Sequence, residues 1–375
     1  MQIHALIRRV IVEDGEARGV EFEVGGRTCY AATSGEVILS TGTVGTPAIL
    51  ERSGIGDSAR LKALGIEPVA HLPGVGENLQ DHPQIRMVDG VSTLNSRAGS
   101  LIGIGKAGIG LEYLLFRSGP MSMPPSTLCA FTRSDAGFAT PNLQYHVQPL
   151  SLQGWGKELD PFPAITASVC DLRPQSRGTL HITSANAHAK PDIQPLYLSA
   201  EADRRVAVEA MRLTRRIVSQ APLQRYNATE IRPGPTVESD ADLLASLPDI
   251  TTTIFHPVGT AKMGTDALAV VDPQLRVHGI RSLRIVDASV MPVVTSGNSG
   301  TPTIMIAEKG AEMILRSARQ ASVGHLRGTP TAAEHQQPLS ARRWPSPVAA
   351  SRPHQVGLEL RLRRFRCCRP CPGGS

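Results

Sequence analysis

Gly35–Gly56 reads GEVILSTGTVGTPAILERSGIG, and this stretch decides which kind of fold the chain adopts. The short apolar run within Gly35–Ser40 predicts a strand that is buried on both faces. Thr46 and Pro47 suit an N-cap and a first helical residue, so a helix is predicted there, ending at the glycines of Ser53–Gly56. A buried strand, a glycine-rich turn and a helix in this order favour an α/β fold.

The segments around this stretch add further elements. Upstream, Ala5–Gly26 has apolar-rich runs on either side of Asp14-Gly15 and predicts a β-hairpin. Downstream, Ser58–Leu64 predicts a short helix that ends at Gly65. Three later runs predict strands of an antiparallel sheet, and one run with early acids and late arginines predicts an amphipathic helix. These runs are Leu143–Leu152, Ala164–Leu172, Gly178–Ile182 and, for the helix, Ala200–Ser219.

The chain reads in three parts followed by a tail. Residues 1–90 alternate as strands do, residues 90–250 are mixed, and residues 250–318 are dense in Gly, Pro and His motifs. Residues 319–375 are rich in Pro, Ser, Ala and Arg without a sustained period, and this composition predicts a disordered tail.

The composition is that of a globular protein whose positive charge is concentrated at one end. The chain has 375 residues, of which 41% are apolar and 19% charged, with a formal net charge of +6. Residues 319–375 hold ten Arg against Glu334 and Glu359, a balance of +8, so the rest of the chain carries −2. The tail lacks interleaved aromatic residues, so we predict no specific nucleic-acid partner, although an Arg-rich tail can contact phosphate nonspecifically.

Cysteine usage and hydropathy bear on location. The six cysteines follow no disulfide framework and favour a reducing, cytoplasmic setting. No apolar run is long enough to predict a membrane span, although peripheral association stays open, and charges near the N-terminus exclude a visible export signal. The cluster Cys367-Cys368-x-x-Cys371 lacks the ligand spacing of a zinc site and is read as a chance grouping, so no metal site is predicted.

Gly103–Gly108 reads GIGKAG and matches the G-x-G-x-x-G pattern of dinucleotide-binding proteins. No hydrophobic strand precedes it, and no acidic residue stands about 20 positions later. A glycine-rich loop that leads into Leu111–Phe116 is therefore preferred.

Two segments carry residues suited to chemistry. In the first, FHPVGTAKMG (255–264), His256 lies between a strand-like stretch and a Gly/Pro turn, where its imidazole can accept an alcohol proton. In the second, VDASVMP (286–292) precedes TSGNSGTPT (295–303), in which Asn298 is an uncharged donor just ahead of a helix expected over Thr303–Leu315. A structural histidine and an ordinary strand–loop–helix junction are the alternative readings.

The chain resembles the glucose–methanol–choline (GMC) oxidoreductases over about residues 1–318. Its motifs follow in family order. Asn298 stands where glucose and aryl-alcohol oxidases have a second histidine, and the asparagine makes the chain most similar to choline or aliphatic-alcohol dehydrogenases. The stretches that carry the resemblance are Ser40–Gly56, Leu72–Pro83, His256–Gly264, Val271–Gly279, Val286–Pro292 and Gly297–Ile306.

The resemblance implies a partial FAD-binding, Rossmann-like α/β domain formed by residues 1–80 and 250–318. Into it an α+β substrate domain built on the antiparallel sheet would be inserted at residues 81–249. It implies oxidation of a primary alcohol, choline or an aliphatic alcohol, to the aldehyde. His256 would take the hydroxyl proton, Asn298 would steady the developing alkoxide, and a hydride would pass to flavin N5. Electrons would leave to an acceptor other than NAD. The implied cofactor-binding residues are Gly42, Thr43, Asp287, Ala288, Pro302 and Thr303.

Two departures from the family pattern lead to further expectations. Gly300 stands where the family has Asn or Gln, which would loosen one flavin contact. The strand–GxGxxG–helix that opens family members is missing, so we expect this chain to be a fragment that binds FAD weakly or not at all. The rival to an active enzyme is an inactive C-terminal fragment with a structural or interaction role.

Overall fold

The computed structural model describes residues 1–91, 104–124, 126–152 and 157–327, of which 104–106 and 321–327 are described as backbone. Gly103, Trp155, residues 328–375 and the cysteine cluster at 367–371 lie outside the described residues. The chain between these gaps forms a mixture of helices and mainly antiparallel sheets.

A three-stranded antiparallel sheet opens the chain. It consists of β1 (Leu6–Glu13), β2 (Glu16–Val24) and β3 (Arg27–Ala32), in that order. The predicted hairpin is confirmed, since β1 and β2 meet at Asp14-Gly15, both with positive φ. β3 was not predicted. Its signal is the pair Gly25-Gly26, because a two-residue loop with two positive φ angles is the commonest hairpin connection.

A parallel pair of short strands lies behind this sheet. β4 (Val37–Leu39) pairs with β15 (Leu283–Ile285) and so joins two distant parts of the chain. The predicted strand therefore exists, but its expected burial on both faces is wrong, because Ile38 is 44% exposed. Val37 and Leu39 point the other way into the core, as the two-residue period of a strand requires.

The helix after β4, α1 (Gly42–Arg52), begins one turn before the Thr46 start that the sequence predicts. The cap comes from a distant residue, since the Asp287 carboxylate accepts the Gly42 N–H at 3.0 Å. Pro47 then lies inside the helix, where it cannot donate to the carbonyl of Thr43. The hydroxyl of Thr260 donates to that carbonyl at 2.7 Å instead, so the helix tolerates the proline.

The largest sheet has six strands and lies in the middle of the chain. Its order is β13-β7-β10-β9-β8, and β14 also pairs with β7. The bounds are β7 (Pro83–Gly90), β8 (Leu128–Thr132), β9 (Leu143–Gln148), β10 (Ala164–Asp171), β13 (Thr229–Arg232) and β14 (Thr251–Thr253). The predicted strands Leu143–Leu152 and Ala164–Leu172 are thus confirmed, with shorter ends.

The two faces of this sheet differ in polarity. One face buries apolar side chains against the helices α4 (Glu201–Val218) and α6 (Asp240–Ile250). The opposite face carries the polar residues Gln84, Gln144, His146 and Ser168. His146 pairs directly with Ser168, whereas Gln84 and Gln144 lie on either side of Cys170. The amphipathic helix predicted at 200–219 is confirmed by α4, whereas α6 was not predicted.

Smaller elements complete the architecture. The parallel pair β5 (Ile55–Gly56) and β6 (Ala70–His71) flanks α2 (Ser58–Ala63), which begins at an Asp57 cap and confirms the predicted short helix. The expected strand at Gly178–Ile182 exists as β11 (Thr179–His181), but it pairs with β12 (Asp192–Gln194) outside the large sheet. The remaining pieces are α5 (Ala221–Gln224) and 3-10 helices at Pro120–Ser122 and Ala288–Val290.

Two helices differ from their predicted extents. α3 (Ile104–Phe116) includes Gly105 and Gly108, which were read as part of a loop, because a helix interior tolerates each glycine at a cost of about 1 kcal/mol. α7 (Gly300–Arg327) begins three residues before the predicted Thr303 and continues past Leu315. The expected tail boundary at residue 319 is wrong for this reason, since 319–327 are helical.

The buried apolar residues form two clusters. One is drawn from residues 10–75 and 258–306, and the other from residues 85–250. The domain bounds at 80 and 250 remain a prediction, and the site described below lies where chain segments from both sides of these bounds meet.

Candidate functional site

The two side chains that were expected to meet, His256 and Asn298, lie within hydrogen-bond distance. Asn298 Nδ2 is 3.1 Å from His256 Nε2, although the residues are 42 positions apart in sequence. His256 is 7% exposed. Its Nε2 atom therefore faces a carboxamide in a largely desolvated setting.

A single buried carboxylate, Asp81, holds the backbone around His256. Its Oδ1 accepts the backbone N–H groups of His82 and His256, each at 2.9 Å. Its Oδ2 accepts the hydroxyl of Tyr197 at 2.5 Å and the hydroxyl of Thr253. Asp81 therefore ties the start of β7 to the segment that follows β14.

The backbone before His256 takes a conformation that bulky residues rarely adopt. Phe255 has a φ of 65°, in the left-handed region. Its N–H donates to Thr253 Oγ1 at 2.8 Å, and Thr253 in turn donates to Asp81. Strain of this kind persists where the surrounding structure imposes it, and it is common at functional sites.

A second histidine, His82, packs against the first. Its Nδ1 lies 3.0 Å from His256 Nδ1, and the two rings are perpendicular with centroids 5.3 Å apart. His82 Nε2 lies 3.3 Å from the carbonyl oxygen of Leu172. Sequence analysis assigned no role to His82, although His82-Pro83 and His256-Pro257 are two His-Pro pairs within motifs that it singled out.

Burial keeps both histidines neutral. It lowers the pKa of His82 from 6.5 to about 4, and the neighbouring His256 lowers it further, against the pull of Asp81. Burial also lowers the pKa of His256, with the Asp81 carboxylate opposing the change and His146 adding to it. At neutral pH the His256 imidazole is therefore a base with an available lone pair.

The polar face of the large sheet supplies the other side of the site. Gln144 Nε2 donates to Asn298 Oδ1 at 3.0 Å and approaches Cys129 Sγ at 3.3 Å. Three buried atoms on this face, Gln144 Oε1, His146 Nε2 and Ser168 Oγ, have no hydrogen-bond partner in the described part of the chain. Sequence analysis missed Gln144 and His146, because only the strand register brings them to Asn298 and His256.

The floor of the site is held together by Gln80, Asn78 and Gly259. Gln80 exchanges backbone hydrogen bonds with Val258, while its side chain donates to the Pro292 carbonyl at 3.0 Å. Gly259 has a φ of 93°, and a Cβ there would lie 2.6 Å from the Asn78 carbonyl oxygen. Only glycine permits this close approach of the two segments.

The predicted cofactor residues around α1 are joined by hydrogen bonds within the chain. Asp287 Oδ2 accepts Gly42 N–H and Thr46 Oγ1, and Oδ1 accepts the N–H and the hydroxyl of Ser289. Thr43 Oγ1 donates to the carbonyl of Pro257, next to His256. Ala288 opens the 3-10 helix that follows Asp287. The Asp287 carboxylate is thus engaged in holding the start of α1.

The predicted residues Pro302 and Thr303 lie in the first turn of α7, directly after Asn298. Thr303 bonds back to the Ser299 carbonyl through both its N–H and its hydroxyl. Pro302 lacks an N–H at a position where helices have no internal acceptor for one, so no bond is lost. The start of α7 therefore presents free amide groups close to the site.

Open glycines and exposed apolar side chains test whether a flat cofactor fits here. A Cβ placed on Gly42, Gly297 or Gly300 would meet no atom of the described residues within 4 Å. Val293 and Ile304 are 58% and 64% exposed on the segments that flank Asn298. Space beside the backbone, uncovered apolar groups and a helix N-terminus suit a flat ring system with anionic character.

Two other classes of feature, metal sites and membrane-spanning helices, were considered for the described residues. No group of three or more His, Cys, Asp or Glu side chains there is placed to hold a metal ion. Within the same residues, no helix has the length and apolar character needed to cross a bilayer.

Comparison with known proteins points in the same direction as this geometry. Two family profiles described as GMC oxidoreductase match residues 2–84 and 174–307. The oxygen-dependent choline dehydrogenase of Vibrio vulnificus (strain YJ016) is 40% identical over 314 residues, which are 83% of this chain and 56% of that protein. The alcohol dehydrogenase [acceptor] of Pseudomonas putida is 40% identical over 322 residues, covering 84% of this chain and 58% of that protein.

Solved structures with a similar fold include two oxidases. A variant of formate oxidase from Aspergillus oryzae RIB40, studied for FAD modification, has a TM-score of 0.78 at 26% identity. The match covers 84% of this chain and 60% of that one. Pyridoxine 4-oxidase from Mesorbium loti has a TM-score of 0.70 at 25% identity, covering 82% and 56%. The chain thus spans little more than half the length of these proteins.

Proposed function

This chain belongs to the GMC oxidoreductase family, and from that premise we propose that it carries the proton-transfer site for oxidation of a primary alcohol to the aldehyde. The observation that supports this most directly is the 3.1 Å contact between His256 Nε2 and Asn298 Nδ2. A neutral base beside a neutral donor is the pair of groups that deprotonation of an alcohol requires.

His256 acts as the general base in this proposal. Its lowered pKa leaves Nε2 unprotonated at neutral pH, so the atom can accept the hydroxyl proton of a bound alcohol. The Asp81 carboxylate bonds the backbone N–H rather than the ring, so it fixes the position of His256 without blocking either ring nitrogen. It also favours the imidazolium that forms when the proton arrives.

Asn298 stabilises the negative charge that develops on the substrate oxygen. Its Nδ2 donates to His256 Nε2 in the structure described, and a substrate oxygen placed between the two groups would receive that donor. Gln144 holds Asn298 Oδ1 and thereby prevents the carboxamide from rotating. A donor positioned in advance in a buried site stabilises an alkoxide more than a donor in water does.

FAD is the cofactor in this proposal, and when bound it would supply the hydride acceptor at flavin N5. Gly42, Thr43 and Ala288 would line it on one side, and the first turn of α7 at Pro302 and Thr303 would offer amide groups to its anionic edge. Asp287 would act indirectly, because its carboxylate already holds Gly42 N–H.

The substrate in this proposal is choline or an aliphatic primary alcohol, and the final electron acceptor is a compound other than NAD. The names of the relatives include both a choline dehydrogenase and an alcohol dehydrogenase. The two substrates place different demands on the site, since a quaternary ammonium needs an aromatic cage or a carboxylate. A comparison of choline with an uncharged aliphatic alcohol of similar length distinguishes them.

The test uses the full chain loaded with FAD. The chain is incubated with FAD, free flavin is removed by gel filtration, and bound flavin is measured by its absorbance. An alcohol is then added without oxygen, and bleaching of the flavin is followed. We expect bleaching by at least one of the two alcohols, and we expect His256→Gln to slow it about 100-fold or more. His188→Gln serves as the control, because His188 is exposed and bonds Glu23 on the first sheet.

Two outcomes contradict the proposal. One is retained flavin that neither alcohol bleaches, and the other is a His256→Gln variant as fast as the parent. Failure to retain any flavin would instead favour the rival role of an inactive fragment with a structural or interaction function.

A further inference from the structure

We propose that His82 is a positioning residue that fixes the ring proton of His256 on Nδ1 and leaves the lone pair of Nε2 facing Asn298. The assignment of this tautomer rests on the hydrogen-bond geometry, and its importance for alcohol oxidation rests on the function proposed above. The tautomer matters because only an unprotonated Nε2 can accept a proton on the side of Asn298.

The contact between His82 and the Leu172 carbonyl determines which ring nitrogen of His82 carries the proton. A carbonyl oxygen only accepts, so the contact of 3.3 Å to His82 Nε2 requires the proton of His82 on Nε2. His82 is fully buried and its pKa is about 4, so the ring carries a single proton at neutral pH. His82 Nδ1 is then an acceptor, and the 3.0 Å contact requires His256 Nδ1 to donate to it.

The contacts of Gln144 and Asn298 agree with an unprotonated Nε2 on His256. Gln144 Nε2 approaches the thiol of Cys129 and donates to the oxygen of the Asn298 carboxamide at 3.0 Å. The amide nitrogen of Asn298 then faces His256 Nε2 at 3.1 Å. An amide nitrogen only donates, so His256 Nε2 is the acceptor.

The contacts from Gln144 to Leu172 together form one uninterrupted series of donors. Protons point from Gln144 to Asn298, from Asn298 to His256, from His256 to His82, and from His82 to Leu172. The opposite tautomer of His256 would set two donors against each other at Asn298 and two acceptors at His82. Each buried mismatch of this kind leaves a desolvated polar group without a partner and is therefore unfavourable.

The charged and titratable groups around His256 do not compete for its Nδ1. Both carboxylate oxygens of Asp81 are engaged by backbone N–H groups and by two hydroxyls. His146 lowers the pKa of His256. His82 thus takes the place that a carboxylate often has behind a catalytic histidine, but it is uncharged. When His256 accepts a proton on Nε2, its Nδ1–H remains bonded to His82, and this bond becomes charge-assisted.

The experiment reads the tautomer directly and needs neither flavin nor turnover. The full chain is labelled with ¹⁵N-histidine, and long-range ¹H–¹⁵N spectra are recorded near neutral pH, with His256→Gln identifying the resonances of His256. We expect the parent to show Nδ1 of His256 protonated and Nε2 unprotonated.

A matched pair of variants tests the role of His82. In His82→Asn the side-chain oxygen can occupy the position of Nδ1 and accept, so His256 should keep its Nδ1–H form. In His82→Leu the acceptor is lost, and we expect a shift of His256 toward the Nε2–H form. Circular dichroism checks that each variant is folded.

The proposal is overturned if the parent shows His256 protonated on Nε2, or if a folded His82→Leu variant keeps the spectrum of the parent. If neither variant folds, the spectrum of the parent decides. A correct tautomer in a chain that never oxidises an alcohol would refute the proposed function and leave the tautomer assignment standing.

Discussion

Replacement of Asp81 tests whether one buried carboxylate holds the site together. The side chain is 7% exposed and accepts four hydrogen bonds, from two backbone N–H groups and two hydroxyls. Asp81→Ala removes both acceptor oxygens and with them all four hydrogen bonds. The two hydroxyls can rotate toward other partners, whereas the N–H groups of His82 and His256 are fixed by the backbone and stay unsatisfied.

The magnitude follows from these two orphaned groups. Each buried unsatisfied donor costs about 1–3 kcal/mol, so Asp81→Ala should lower the free energy of unfolding by about 4 kcal/mol. Asp81→Asn keeps an oxygen for the two N–H groups and loses only the acceptor for the two hydroxyls. We therefore expect a smaller loss of about 1–2 kcal/mol for Asn.

Urea unfolding followed by far-UV circular dichroism measures these losses. Asp249→Ala is the control, because Asp249 is exposed near the end of α6, and its unfolding midpoint should match the parent. A loss below about 1 kcal/mol for Asp81→Ala, or equal losses for Ala and Asn, would refute the reasoning. Asp81→Asn should also lower the pKa of His256 in an NMR titration, since the carboxylate favours the imidazolium.

Three further variants test separate parts of the site. Asn298→Ala in the FAD-loaded chain should lower the rate of alcohol-driven flavin bleaching about 100-fold at saturating substrate, because the alkoxide loses its donor; an unchanged rate would remove Asn298 from the proposal. Gly259→Ala should cost about 3 kcal/mol in urea unfolding, since it combines a left-handed conformation with a clash at the Asn78 carbonyl. Gly26→Ala has the conformation without the clash and should cost about 1 kcal/mol, so equal losses would contradict the assignment. His82 takes up a proton near pH 6.5 when unfolded but only near pH 4 when folded, so the unfolding free energy should fall by up to about 3 kcal/mol as pH drops through this window. His82→Asn should flatten this slope relative to the parent, and a slope equal to the parent's would contradict the lowered pKa of His82.

Local structure was the part of the fold that short patterns predicted well. The hairpin at Asp14-Gly15, the helix at 201–218 and the strands at 143–148 and 164–171 follow from turn residues and from periods of two or 3.6. The predictions failed where a distant group acts on the backbone. α1 begins at Gly42 because Asp287 caps it, and Pro47 is tolerated because Thr260 bonds the Thr43 carbonyl.

The residues of the candidate site also fall into two groups, those that the sequence identified and those that only tertiary contacts bring in. Residue type and setting beside a strand or a helix start made His256 and Asn298 candidates, and the resemblance to the GMC oxidoreductases assigned their roles. No local pattern assigned a role to Asp81, His82 or Gln144, which make contact with them. Gln144 lies inside a strand, and only the register of the sheet and the folding of the chain bring it to Asn298.

The sequence by itself therefore determined which side chains are able to exchange a proton and which short elements carry them. Tertiary structure decided which nitrogen of His256 is free to do so. The physical reason is that a neutral imidazole has two alternative sites for one proton, and the choice between them depends on donors and acceptors up to 174 positions away in the chain.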